Sequence, residues 1–309
     1  MSFYVKTGQS DFDDEVNDYF EEKGWKESKS FPVNFIYITG EAAYQRNRFD
    51  TKKSNWISLL WGKSVDRLTN KYELHKHHSK ASFLIPTKLI DQGEPLPKLP
   101  SQFLKILKPV EGFSGSGISI VQSKDEITEW LEKHPDLKQW VLQDYVLFPS
   151  LKDGHKFHLR TFVLIRKAQG KEREVFVANY KIYNKAEEKY KHDDWLNPRI
   201  HDTHYKPGKP ILFPTSLPDG WTMWNGEKTQ KKINSILKKL LEDETEFNPE
   251  WNAKNGFEVF GVDILFDGLK PYILEFNNKM GHKSISFYAK GILDTVLTNE
   301  SNQYFTRIL

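Results

Sequence analysis

The sequence contains no cysteine, which excludes disulfide bonds, thiolate metal sites and cysteine nucleophiles. It also lacks any run of roughly 20 apolar residues, the length that a helix needs to cross a membrane. The first seven residues, Met1–Thr7, do not form the long apolar stretch of a secretory signal. We therefore expect a soluble, cytoplasmic protein with no membrane partner.

A large excess of one charge is also missing. The chain has 45 basic and 42 acidic residues, and its net charge is +3. A dedicated nucleic-acid binder needs a stronger basic excess, so a nucleic-acid partner is not expected. Much of the small excess lies between about residues 150 and 240, which leaves room for an anionic partner on that part of the surface.

Apolar side chains are plentiful enough for real cores, because 38% of the residues are hydrophobic and 14% are aromatic. The length of 309 residues allows one large domain or two to three smaller ones around a shared cleft. Residues 3–40 predict strand, helix and strand. Later segments also contain both the helical and the alternating spacing of apolar residues. Among them, residues 83–85 and 175–183 each predict one strand. The fold class predicted from this pattern is mixed α/β.

The most informative stretch, residues 257–278, predicts two apolar strands joined by a turn at Asp267-Gly268. Side chains alternate across a strand, so Glu275 and Asn277 point to one side of the second strand. If the strands pair, these two side chains and Asp263 converge, and such oxygen donors suit Mg²⁺. The alternative is that Asp263 lies at a strand edge and Glu275 begins a loop. An acid inside an apolar strand is costly to bury without a partner, which favours a functional site.

Residues 155–165 alternate cleanly, which places Lys156, His158 and Arg160 on one face of a predicted strand. Three basic groups on one face repel each other, so they fit either a site for an anion or a solvated face. The sequence alone leaves both interpretations open.

A Gly/Ser-rich segment, residues 111–117, lies between two predicted strands, and Lys108 closes the first of them. Its backbone N–H groups could close on phosphates, although a simple hairpin is the alternative. It is not a Walker loop, because the glycine spacing differs and a strand follows. A separate histidine tract, His75, His77 and His78, has poor spacing for zinc, so we expect a solvated helix face there.

Four segments in this order resemble the motifs of ATP-grasp enzymes and, more narrowly, those of the tubulin–tyrosine ligase-like family. They are Lys108-Pro109 with the Gly/Ser loop, Gln143-Asp144-Tyr145-Val146, Lys156-Phe157-His158-Leu159-Arg160, and the 257–277 segment. Two weaker matches are Leu68-Thr69-Asn70-Lys71 and His201-Asp202-Thr203-His204. The resemblance extends over about residues 68–278, and its most specific part is 257–277.

This resemblance implies an ATP-grasp fold with ATP and Mg²⁺ as cofactors. The implied domains are a small N-terminal α/β domain (residues 1–71), a central domain with the Gly/Ser lid (72–147) and a C-terminal domain with the metal site (148–309). The nucleotide-binding residues would be Lys71, Lys108, Gly115 and Lys156 near the phosphates, and Gln143, Asp144 and Tyr145 beside the adenine. The metal ligands would be Asp263, Glu275 and Asn277, and the catalytic residues Arg160, Lys156 and Glu275.

The implied reaction joins an amino acid to a protein or peptide through an acyl phosphate, with tubulin or another acidic protein as the acceptor. The chain departs from the family pattern at His158, where the family has aspartate, and near Asn184, where it has arginine. The usual Ser-Pro that follows the metal-binding asparagine is also absent after Asn277. These departures leave two alternatives: an ATP-grasp small-molecule ligase or kinase, and a non-catalytic nucleotide- or tubulin-binding module.

Overall fold

The computed structural model describes residues 1–6, 10–29, 33–38, 56–58, 63–101, 103–111, 117–195, 197–201, 203, 226–245, 255–277 and 288–309. The strands are β1 (Ser2–Lys6), β2 (Lys26–Glu27), β3 (Phe35–Ile38), β4 (Trp56–Ser58), β5 (Thr87–Asp91), β6 (Lys105–Pro109), β7 (Ser119–Val121), β8 (Gln139–Asp144), β9 (Leu151–Lys152), β10 (His155–Lys167), β11 (Arg173–Ala178), β12 (Ile182–Lys185), β13 (Asn255–Asp267), β14 (Lys270–Asn277) and β15 (Phe305–Arg307). The helices are α1 (Ser10–Glu22), α2 (Lys63–Thr69), α3 (Lys71–His77), α4 (Lys124–Glu132), α5 (Pro198–His201), α6 (Gly226–Glu242) and α7 (Ala289–Thr298).

Within the described residues, eleven strands form one large sheet. Its centre is the antiparallel pair of β10 and β13, each 13 residues long. One side of the sheet continues through β11 to β15, and the other continues through β4, β3 and β1 to β2. β12 pairs with the first half of β10, and β14 pairs with the second half of β13. Four strands, β12-β10-β13-β14, therefore lie side by side at one end of the sheet.

Alternating side chains give β10 and β13 two apolar faces. On one face, Phe162 and Val259 pack in a core with side chains of α1 and α7. On the other face, Val163 and Val262 pack in a second core with side chains of α2, α3 and α6. Each fully buried side chain of this kind contributes roughly 1.5–3 kcal/mol relative to an exposed one. The two cores hold the central pair of strands in place.

The N-terminal strands share a core with the strand that carries Asp263. β4 runs parallel to both β3 and β13 and joins them in the sheet. The ring of Phe257 stacks on Phe35 at 5.3 Å between centroids and meets the edge of Tyr37 at 5.2 Å. All three rings are fully buried. The division of the chain at residues 71 and 147 stays a prediction.

A second sheet, in the order β5-β8-β6-β7, is antiparallel throughout. Leu107 and Trp140 point to the face that packs against Ile127 and Leu131 of α4. α4 begins at Ser123, whose hydroxyl accepts a hydrogen bond from the backbone N–H of the third helical residue at 3.2 Å. By alternation, Lys108 and Gln143 point to the opposite face.

The mixed α/β fold class predicted from the sequence is confirmed. Two local predictions are wrong. Residues 83–85 form no strand beyond a bridge between Leu84 and Ile273. The strand lies at Thr87–Asp91 instead, because pairing with β8 outweighs the low hydrophobicity of these five residues. The strand predicted at 175–183 is two strands, since its second part pairs with the other half of β10. No helix in the described part of the chain is long and apolar enough to span a membrane.

Candidate active site

The predicted metal ligands meet at the four-strand end of the large sheet. The register pairs Arg160 with Asp263, Asp263 with Glu275, and Gly261 with Asn277. Residues paired across antiparallel strands point to the same face, and so do residues two apart on a regular strand. Asp263, Glu275 and Asn277 therefore share one face with Arg160. This confirms the convergence that alternation predicts, whereas metal binding itself stays a prediction.

A β-bulge in β14 makes this convergence compatible with a packed core. Ile264 pairs with Ile273, but its neighbour Asp263 pairs with Glu275, so Leu274 is an extra residue. In a regular strand, residues 273 and 275 would point to the same face. With the bulge, Ile273 is fully buried in the second core and Glu275 faces the site. Alternation in the sequence does not reveal this bulge.

Arg160 and Asp263 form a two-bond ion pair at the centre of the site. Arg160 donates from Nε to Oδ1 of Asp263 at 2.7 Å and from Nη2 to Oδ2 at 2.6 Å. Asp263 is 1% exposed, and a carboxylate buried to this extent is costly without a bonded cation. Burial alone lowers the pKa of Arg160, but the charge and hydrogen bonds of Asp263, together with Glu275, raise it above its usual value. The guanidinium of Arg160 is thus held in its charged form beside Asp263.

Glu275 is held from two sides. Nζ of Lys71 lies 3.2 Å from its Oε2, and Nδ2 of Asn277 donates to its Oε1 at 3.1 Å. Lys71 is the first residue of α3, which begins there because the side chain of Asn70 accepts hydrogen bonds from two backbone N–H groups of the first turn. The cap therefore fixes the position at which Lys71 enters the site.

Lys108 adds a cation from the second sheet. It is half-buried in β6, and burial lowers its pKa to about 8. The nearby charge of Lys71 lowers this pKa further, whereas Glu275 and Asp263 raise it. Both sheets therefore contribute charged groups that influence one another.

The three residues predicted to border the adenine have protein partners in this structure. Gln143 is 1% exposed and donates from Nε2 to His75 Nε2 at 2.8 Å and to Thr87 Oγ1 at 3.2 Å. Its Oε1 is buried and accepts no hydrogen bond from the described residues. Asp144 forms an ion pair with Lys105. Contact of these residues with adenine stays a prediction.

The hydroxyl of Tyr145, the third of these residues, links Lys156 to a histidine. Nζ of Lys156 donates to Oη of Tyr145 at 3.0 Å and also lies 4.5 Å from the centre of its ring. Oη in turn donates to Nδ1 of His201 at 2.6 Å. Lys156 is 7% exposed, and Tyr145 is one of the groups that stabilise its buried ammonium. His201 belongs to a segment whose match to the family is weak, and that match is the only sequence signal for it.

His158, next along the same face, joins three elements. Asn184 on β12 is its cross-strand partner and donates from Nδ2 to Nε2 of His158 at 2.9 Å. Nδ1 of His158 lies 2.6 Å from Oγ1 of Thr203, and Nε2 lies 3.6 Å from Oδ1 of Asp263. The two positions that depart from the family pattern therefore touch each other beside the predicted metal ligand. Alternation in the sequence predicts the place of His158 but not these contacts.

Solvent exposure is wrong both as one of the two open interpretations for the basic face of β10 and as the expectation for the histidine tract. The basic face of β10 is not solvated, since His158 is 1% exposed and Lys156 is 7% exposed. His75 is 5% exposed and packs beside Gln143, so the histidine tract is not a solvated helix face throughout. Packing of α3 on the second sheet explains the second error, because helix periodicity does not show what will cover a polar face.

Gly115 and His204 lie outside the described residues, as does most of the Gly/Ser loop. Within the described residues, no three histidine, cysteine or acidic side chains come together as a metal site. The predicted magnesium set contains only two carboxylates and one amide, and Mg²⁺ normally completes such a set with water and phosphate oxygens. The oxygens of Asp263, Glu275 and Asn277 thus fit Mg²⁺ provided that Arg160 and Lys71 turn to other partners.

A family model described as "Tubulin-tyrosine ligase family" matches residues 39–208. Three curated relatives also match over long stretches. A probable tubulin polyglutamylase of Caenorhabditis elegans is 25% identical over 296 residues, which covers 82% of this chain and 69% of the relative. Tubulin glycylase 3B of Drosophila melanogaster is 26% identical over 204 residues, 58% of this chain and 26% of the relative. A probable tubulin–tyrosine ligase of Schizosaccharomyces pombe is 26% identical over 174 residues, 52% of this chain and 41% of the relative.

Proposed function

The chain belongs to the tubulin-tyrosine ligase family, and on this premise we propose that it is an ATP- and Mg²⁺-dependent ligase that joins an amino acid to a protein or peptide. One observation carries the proposal. The basic face of β10 lies directly against the acidic face of the β13–β14 hairpin, with Arg160 bonded twice to Asp263. A site that binds both phosphate and metal needs cations and oxygen donors within one such space.

The buried amide of Gln143 supports a nucleotide in this space. An acceptor that is buried without a partner costs about 1–3 kcal/mol, and Oε1 of Gln143 is in this position within the described residues. An N–H donor on a planar base would remove that cost. The exocyclic amino group of adenine is such a donor.

In the proposed reaction, a carboxylate oxygen of the acceptor attacks the γ-phosphorus of ATP, ADP leaves, and an acyl phosphate forms. The amine of the amino acid then attacks the acyl carbon, phosphate leaves, and the nitrogen loses a proton to complete the amide. Lys71, Lys108 and Lys156 would bind phosphate oxygens, and Arg160 would stabilise charge on the reacting oxygens. Asp263, Glu275 and Asn277 would hold Mg²⁺, which when bound neutralises phosphate charge.

The relatives point to the class of acceptor but not to one amino acid. Their names give tubulin as the protein acted on, and they include a polyglutamylase, a glycylase and a tyrosine ligase. We propose tubulin or another acidic protein as the acceptor. Glutamate, glycine and tyrosine are the first amino acids to test.

The first experiment measures thermal stability with a non-hydrolysable ATP analogue, with and without Mg²⁺. A ligand that binds only the folded state stabilises it by roughly 2.7 kcal/mol at 100 times its dissociation constant. We expect a Mg²⁺-dependent rise in Tm for the wild-type protein and for Glu73→Gln, a change on the outer surface of α3. Glu275→Gln should fold but lose both the Mg²⁺-dependent rise and Mg²⁺-dependent ATP turnover.

Turnover then separates the alternatives. A ligase forms ADP repeatedly only when acceptor and amino acid are both present, because the amine must consume each acyl phosphate, whereas a kinase turns over repeatedly without the amino acid. Nucleotide binding without turnover on any acceptor would favour the non-catalytic module, which the departures at His158 and Asn184 also favour. No change in Tm of the wild-type protein at millimolar nucleotide would contradict the proposed function.

A further inference from the structure

We propose that His201 and Thr203 are positioning residues that fix the basic face of β10 before any ligand binds. His201 is the last residue of α5, and Thr203 follows two positions later. One of them reaches Lys156 through Tyr145, and the other reaches His158 directly. The role of this segment rests on the proposed function, since Lys156 is a phosphate ligand only if the chain binds ATP.

The first arm is a chain of hydrogen bonds with a defined direction. The ammonium of Lys156 can only donate, so Oη of Tyr145 accepts from it. The backbone oxygen of Asp194 can only accept, so the proton of a neutral His201 is on Nε2, and Nδ1 accepts from Oη of Tyr145. Nε2 of His201 donates to the backbone oxygen of Asp194 at 2.7 Å. Every step requires a neutral His201 that is protonated on Nε2. Burial, the largest influence on it, lowers the pKa of His201, consistent with this form.

Aromatic packing fixes the geometry of this arm. The ring of Trp195 stacks on His201 at 5.4 Å between centroids, and Tyr145 meets the edge of Trp195 at 5.3 Å. Tyr145 is 7% exposed and His201 is 8% exposed. The packed rings of Trp195 and His201 therefore fix the position of the Tyr145 hydroxyl, which accepts the hydrogen bond from Lys156.

The second arm holds His158. Because Nε2 of His158 accepts from Asn184, the proton is on Nδ1, which donates to Oγ1 of Thr203 at 2.6 Å. Thr203 is 9% exposed and His158 is 1% exposed. This places a fixed imidazole 3.6 Å from Oδ1 of Asp263. The same short segment thus holds two neighbouring positions on one face of β10.

The consequence is preorganisation. A lysine side chain has four rotatable carbon–carbon bonds, and a phosphate site gains when these are ordered before the ligand arrives. Tyr145 and His201 order Lys156 without providing a carboxylate that would compete with phosphate for it. Removal of the Tyr145 hydroxyl should therefore weaken nucleotide binding and leave the folded structure in place.

The test compares Tyr145→Phe with Tyr19→Phe. Both tyrosines are 7% exposed, and the hydroxyl of Tyr19 makes a 2.7 Å hydrogen bond to Asp294 of α7, which Tyr19→Phe removes. We expect the KM for ATP to rise about tenfold in Tyr145→Phe, equivalent to about 1.4 kcal/mol, with a smaller change in kcat. Tyr19→Phe should keep the wild-type KM and kcat.

Variants at His201 supply a rescue. Asparagine places an oxygen close to the position of Nδ1, so His201→Asn keeps an acceptor for Tyr145, whereas His201→Ala removes it. We expect His201→Ala to raise the KM for ATP as Tyr145→Phe does, and His201→Asn to stay near wild type. A loss of packing alone would affect the asparagine and alanine variants alike.

A second measurement separates this proposal from the proposed function. Trace acetylation of lysines, followed by mass spectrometry, reports the reactivity of Lys156 without any nucleotide. Lys156 should label several-fold faster in Tyr145→Phe than in the wild type or Tyr19→Phe. Faster labelling in a protein that does not bind ATP would support the positioning role and contradict the proposed function. Unchanged labelling of Lys156 would overturn the positioning role even if the wild type turns over ATP.

Discussion

His75 illustrates what burial does to a single titratable group. It is 5% exposed, and its Nε2 accepts a hydrogen bond from Gln143. Burial lowers its pKa to about 4, with further lowering by the charges of Lys108 and His78. The folded protein thus keeps a neutral imidazole in a range of pH where an unfolded chain would protonate it.

We predict that acid destabilises the protein through this residue. Between pH 6.5 and about 4 the unfolded state binds a proton at His75 that the folded state does not, so stability falls as the pH falls through this range. The loss between pH 7 and pH 4.5 should be roughly 2–3 kcal/mol, at about 1.4 kcal/mol for each unit of pKa difference. Urea unfolding at both pH values gives the free energy of unfolding of the wild type and of His75→Gln. The contribution of His75 is the difference between the losses of stability of the two proteins. Equal pH dependence in both would contradict the assignment.

At the scale of elements, the pairing of β10 with β12 joins the two departures from the family pattern. The register places Asn184 opposite His158, and their side chains are hydrogen-bonded. An aspartate and an arginine at these positions would form an ion pair in the same place. We therefore predict that the effects of changing these two residues are coupled.

A double-mutant cycle tests this coupling. His158→Asp alone adds a second buried carboxylate beside Asp263 and adds no cation, and an uncompensated buried charge costs about 3–5 kcal/mol. Adding Asn184→Arg should recover part of that loss, with a coupling energy above about 1 kcal/mol. The free energy of unfolding of the wild type, both single variants and the double variant gives the coupling. Additive effects would show that the two positions are independent.

How much the sequence predicts differs from element to element. β10 is predictable because residues 155–165 alternate cleanly, and β13 and β14 are predictable because two apolar runs flank the turn at Asp267-Gly268. β4 is not, since the short apolar segment at residues 54–61 indicates neither strand nor helix, and Trp56–Ser58 is a strand through its pairing with β3 and β13. The bond between Tyr145 and His201 joins residues 56 positions apart, and no local pattern encodes it.

At the scale of the whole molecule, each of the two carboxylates in the candidate site is paired with a cation. Arg160 pairs with Asp263, and Lys71 pairs with Glu275. Phosphate alone would draw the cations away and leave the two carboxylates unpaired. A divalent cation alone would leave the two basic side chains unpaired. Each ligand should therefore bind better in the presence of the other, which is positive coupling between two sites.

Glu275→Gln should bind ATP more tightly than the wild type without Mg²⁺ and less tightly with it. Without its carboxylate, Lys71 has no competing partner, so the variant should bind ATP in the absence of metal several-fold more tightly than the wild type. With Mg²⁺, the wild type should bind more tightly than the variant. Calorimetric titration of ATP in EDTA and in Mg²⁺ measures both. Equal affinity of the wild-type protein under the two conditions would contradict this coupling.

The parallel pairing of β4 with β13 also has a consequence for synthesis of the chain. Trp56 pairs with Asn255, about 200 residues later. At about 5–20 residues per second, a ribosome needs roughly 10–40 s to make the intervening chain. During that time the outer edge of β4 has no partner strand, and unpaired edges attract other chains. Slower elongation would lengthen this interval, and a nascent-chain chaperone would be most useful while it lasts.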